Sequence, residues 1–97
     1  MWWSSWVAAV APYAVLLELF NREAMSADEF ELVFLKLYEV DPTDWPPDLF
    51  EILEGVFADV DEFCADPLLR ERVGGLDAHA LRRRCGAAFE RLSELAG

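Results

Sequence analysis

Apolar residues recur at intervals of three and four along most of this chain, the spacing of helices with one buried face. Tyr13, Leu16, Leu17 and Phe20 define a first such stripe, and Phe30, Val33, Phe34, Leu37 and Tyr38 a second. The third is the most regular: Leu49, Ile52, Leu53, Val56, Phe57, Val60, Phe63 and Cys64 share one side, while Asp48, Glu51, Glu54, Asp59, Asp61 and Glu62 hold the other. The fourth runs through Leu81, Cys85, Ala88, Phe89, Leu92 and Leu95. No segment alternates with the two-residue period of a strand.

Punctuation supports these limits. Ser26 with Glu29 three residues on forms a capping box that opens helix 2. The steps Asp41-Pro42 and Asp66-Pro67 end helices 2 and 3, because a residue before proline is pushed out of helical geometry. Pro47 suits the first position of helix 3, residues 67–76 read as a connector broken at Gly74-Gly75, and Asp77 caps helix 4. The sequence leaves open whether helix 1 begins before or after Pro12. Brief loops between four amphipathic helices predict an all-α fold, an antiparallel four-helix bundle. Ninety-seven residues make one domain, residues 1–97, with 1–11 a possible extension and 12–97 the core.

Composition narrows the chemistry. Trp2, Trp3 and Trp6 lie in a charge-free stretch from Met1 to Leu17, interrupted by Pro12 and ended by Glu18. That is too short for a membrane span, which needs about twenty apolar residues, and no Lys or Arg opens it as in a signal peptide. A core helix with an aromatic extension is the expectation, with deletion of residues 1–9 the test of membrane association. Cys64 and Cys85 read as two small buried hydrophobes in a reducing, cytoplasmic setting.

The charge is lopsided. Between Ser26 and Asp66 thirteen carboxylates face a single base, Lys36, in a chain whose net charge is −11. Such a field repels nucleic acid and attracts cationic partners. Scattered acids would be ordinary solubilising surface, but crowding on this scale opposes folding, so it points to a selected electrostatic role. Catalysis is not expected: His79 has no nucleophile set beside it by any motif, and Gly74-Gly75 lacks the lysine of a phosphate loop. Asp59 and Asp61, two apart on a helix, point to nearly opposite sides and suit no metal. No cofactor is called for. Arg82, Arg83 and Arg84 read as partners for carboxylates on neighbouring helices.

Phe20 to Leu92 resembles the colicin D-type immunity proteins, through Phe20, Ser26-Ala27-Asp28-Glu29-Phe30, Leu37-Tyr38 and Trp45. The likeness continues in Val56-Phe57-Ala58-Asp59-Val60-Asp61-Glu62-Phe63, Asp66-Pro67-Leu68-Leu69-Arg70 and Leu76-Asp77 with Leu81. The block Phe57–Arg70 is its most specific part, and the tryptophan-rich N-terminus lies outside the pattern. The resemblance implies a non-enzymatic, cytoplasmic inhibitor that binds the C-terminal nuclease domain of a cognate toxin, a tRNase whose basic cleft is blocked by carboxylates standing in for phosphates. It implies Asp61 and Asp66 as the main toxin contacts, flanked by Asp59 and Glu62. The alternative is an acidic regulatory adaptor that holds another cytoplasmic protein through the same face or through the tryptophans.

Overall fold

The computed structural model describes residues 6–96, and all of its regular structure is helical: α1 (Val7–Asn21), α2 (Ala27–Val40), α3 (Pro47–Glu62), α4 (Pro67–Val73) and α5 (Ala78–Ala96). Five helices replace the four expected, because the connector is itself partly helical. Asp66 turns it: its Oδ1 accepts the backbone N–H groups of Leu68 at 2.9 Å and Leu69 at 3.4 Å, and Pro67 follows at the first helical position. Gly74 stops it in the left-handed region at φ 71°, a conformation that favours glycine.

The third helix is shorter than its apolar pattern. It ends at Glu62, since Phe63 turns extended and the chain instead pairs with the segment returning from α4. Leu76 N–H donates to the Glu62 carbonyl at 2.8 Å, and Cys64 N–H donates to the Leu76 carbonyl at 2.9 Å. These two bonds form a clip between the end of α3 and the start of α5. Cys64 is therefore only half-buried, unlike Cys85, which is fully enclosed.

Helix α1 starts at Val7, before Pro12, and buries Val10. Pro12 interrupts the hydrogen-bond ladder where it and Ala8 are both exposed, so water can take the carbonyl of Ala8 that loses its donor. Trp6 packs on the core beside Trp45, their rings 5.8 Å apart, and Tyr13 meets Trp45 edge-on at 5.8 Å. One end of the molecule is thereby closed by the proline-rich loop. Trp2 and Trp3 lie outside the described residues.

The core joins α1, α2, α3 and α5. Its buried members among the described residues are all apolar, including Phe20, Phe30, Phe34, Leu49, Leu53 and Leu81. Each such side chain contributes about 1.5–3 kcal/mol when fully buried. Phe20 stacks on Phe30 at 4.5 Å, and Phe30 on Phe34 at 5.8 Å. Arg82 of α5 lies over the Phe20 ring at 4.7 Å while its Nε donates to the Phe20 carbonyl at 3.0 Å. Helices α3 and α5 run in opposite senses, because Glu51 pairs with Arg91 and Asp59 with Arg84. Val33 and Phe57, expected in the core, stay 43 % and 38 % exposed. They sit at the margins of their stripes, where no neighbouring helix covers them fully.

Candidate functional site

The thirteen clustered carboxylates divide by what they touch. Glu29 completes the capping box, accepting the Ser26 N–H at 2.9 Å, and that bond holds its carboxyl below the usual range. Asp41 accepts the Tyr13 hydroxyl at 2.6 Å and the Thr43 N–H at 2.9 Å. Burial pushes the Asp41 carboxyl up, but the hydrogen bonds from Thr43 and Tyr13 outweigh it and leave the group below its ordinary value. Glu54 accepts the Tyr38 hydroxyl, and Glu51 meets Arg91 at 3.3 Å. These groups hold helices in place.

Asp59 is also committed. Its side chain is 16 % exposed and meets Arg84 at 3.1 Å. Burial raises its pKa, and Arg84 offsets only part of that rise. Asp66 spends one oxygen on the first turn of α4. Asp61 and Glu62 are exposed with no cation within 4.0 Å among the described residues, a state they share with Asp28, Glu39, Asp44 and Asp48. The four predicted site residues thus do not form one cluster. Asp59 faces α5, whereas Asp61, two positions on, projects toward the α2 side, as helical geometry requires. Glu62 lies at the clip and Asp66 just beyond it.

A surface that the sequence reading missed runs beside Asp61. Phe50, Glu54, Phe57 and Asp61 are spaced four, three and four, which sets them on one stripe of α3. Phe50 is 49 % exposed. A groove between α2 and α3 is lined by Leu35, Tyr38, Glu39, Glu54 and Phe57. Its signal was available in the seven-residue repeats of phenylalanine and of acid, but Phe57 also fits the core stripe and was assigned there. Helix α4 is the other unexpected surface: it has no buried residue and exposes Leu68, Leu69 and Val73.

Among the described residues no helix is long and apolar enough to cross a membrane, and no group of three or more His, Cys, Asp or Glu could hold a metal ion. No curated protein and no solved structure matches the chain. A family model does, over residues 8–92, from early α1 to late α5 and across every surface just described. Because that match spans most of the sequence, the chain belongs to the bacterial self-protective colicin-like immunity family, whose members guard a cell against a colicin-type toxin and inhibit rather than catalyse.

Proposed function

We propose that this protein neutralises a nuclease toxin, a tRNase of the colicin D type, by occupying its basic cleft with carboxylates at the end of α3 and the following turn. It acts in the cytoplasm as a stoichiometric inhibitor, not an enzyme. Asp61, Glu62 and Asp66 supply the contacts, with Asp59 flanking them. The observation that carries this reading is that Asp61 and Glu62, at the end of α3 beside Asp66, are solvent-exposed and free of any ion pair among the described residues, whereas Glu51, Glu54 and Asp59 on the same helix are tied to Arg91, Tyr38 and Arg84. Carboxylates without intramolecular partners add charge repulsion and no stability, so their retention fits a role in binding. Opposite charge also accelerates encounter, an effect that added salt weakens.

Co-expression with a nuclease toxin domain of the colicin D type tests the reading, scored by growth rescue and by affinity at two salt concentrations. Asp61→Asn with Glu62→Gln leaves folding unchanged. If each carboxylate contributes the lower end of measured interfacial charge couplings, about 1.5 kcal/mol, the pair weakens binding about a hundredfold. Asp66→Asn separates charge from capping, since asparagine caps a helix as well as aspartate does. Full protection by the triple variant, or binding indifferent to salt, rules the proposal out.

A further inference from the structure

The groove between α2 and α3 combines two properties that rarely coincide on a solvent-facing surface. Its floor is apolar and aromatic: Leu35 and Tyr38 from α2, Phe57 from α3, with the Tyr38 and Phe57 rings 5.7 Å apart. Its rim is anionic, with Glu39 on one helix and Glu54 on the other. The Tyr38 hydroxyl donates to Glu54 Oε2, which fixes the carboxylate at the rim, and its second oxygen has no protein donor among the described residues. Tyr38 is itself held by stacking on Phe34 at 5.4 Å, the last step of the aromatic series that begins at Phe20 in the core. The Tyr38 side of the floor is therefore backed by the core. Farther along the same α3 stripe stands Asp61.

We infer that this groove receives a cationic side chain, arginine or lysine, from a basic segment of the partner, and so anchors the toxin beside the carboxylates already proposed to enter its cleft. The inference rests on the partner being basic, as argued above. The aliphatic stem of such a residue lies along Leu35 and Phe57, and its charged head sits over an aromatic face between Glu39 and Glu54. Cation–aromatic attraction and carboxylate pairing then act on one group, and arginine does both better than lysine because its planar fork stacks and binds two oxygens. An apolar partner side chain would gain the floor but strand the two acids; an acidic one is repelled.

The test uses the whole chain and a defined probe, so it does not depend on the toxin. A blocked five-residue peptide with two arginines is titrated into isotopically labelled protein at low salt, beside a peptide in which citrulline, uncharged and of equal size, replaces arginine. Shift changes centred on Leu35, Tyr38, Glu39, Glu54 and Phe57, seen with arginine and lost with citrulline, are the expected result. Glu39→Gln with Glu54→Gln weakens binding about tenfold, the loss expected for two solvent-facing charge pairs, whereas Glu90→Gln with Glu94→Gln on α5 removes the same charge and changes it less than twofold. Phe57→Leu keeps the apolar volume and loses the aromatic face, so it also weakens the arginine peptide. Equal weakening by the two glutamate pairs, or shifts spread over all acidic surfaces, overturns the groove. That outcome leaves the inhibitor reading to be judged by growth rescue alone.

Discussion

Gly75 offers a sharp test of the clip that orders the end of α3. A Cβ built on it falls 2.6 Å from the Glu62 carbonyl oxygen and 3.3 Å from Cys64 Cβ. The first contact is with backbone, closer than real Cβ atoms approach, so Gly75→Ala forces the two segments apart. The bonds at risk are Leu76 N–H to Glu62 O and Cys64 N–H to Leu76 O. Strain from overpacking typically costs about 1–3 kcal/mol, and a lost hydrogen bond about 1 kcal/mol more. Gly74 is the matched control. It needs its positive φ of 71° but has nothing within 4 Å of an added Cβ, so Gly74→Ala carries only the left-handed penalty of about 1–2 kcal/mol. Urea unfolding followed by circular dichroism gives both costs, and hydrogen exchange at Cys64 and Leu76 locates them. The expected pattern is a larger loss for Gly75→Ala, with faster exchange at those two amides. If Glu62, part of the clip, meets the toxin as proposed, protection against it falls as well. Equal stability of the two variants, with the Cys64 and Leu76 amides still protected, would show that the clip is not as close as described.

Two other outcomes follow from the core and the caps. Phe20→Ala removes the ring between Phe30 and Arg82 and costs about 3–5 kcal/mol, a large share of the 5–15 kcal/mol that holds a domain together; a thermal melt should show a drop of well over ten degrees. Asp41 has its folded pKa lowered, so its contribution is present above the ordinary aspartate value near about 4 and is lost as pH falls through the lowered one. Asp41→Asn with Tyr13→Phe should flatten that part of an acid-unfolding curve, and an unchanged curve would assign the acid sensitivity elsewhere.

Local signals were legible where one interaction decides the geometry. The Ser26–Glu29 box, Pro47 at the start of α3 and the Asp77 cap, which accepts the Ala80 N–H at 2.7 Å, follow directly from residue type and spacing. Asp66-Pro67, expected to end helix 3, instead only opens α4, with Asp66 as its cap and Pro67 in its first turn, because α3 has already ended at Glu62 where Phe63 turns extended. The pairing of Phe63 and Leu76 was not legible, since it joins residues thirteen apart through backbone atoms that carry no sequence signature. Charge was readable as a total but not as a set of roles. Spacing cannot say that Arg84 reaches Asp59 while Asp61 stays free, because that depends on where α5 crosses α3. Phe57 failed for a related reason: a residue on the edge of a helical stripe is buried or exposed according to a neighbour's distance.

The short α4 helix is fastened at its ends by the Asp66 cap and the Gly74 turn, and at its middle by the Arg70 guanidinium on the Cys64 carbonyl at 2.9 Å. With no residue of α4 buried, Leu68, Leu69, Glu71 and Arg72 can change identity at little cost to folding. Two proteins with this same framework could therefore display unrelated recognition surfaces at that corner, and a swap of those four positions that keeps Pro67 and Arg70 is a graft the scaffold should accept.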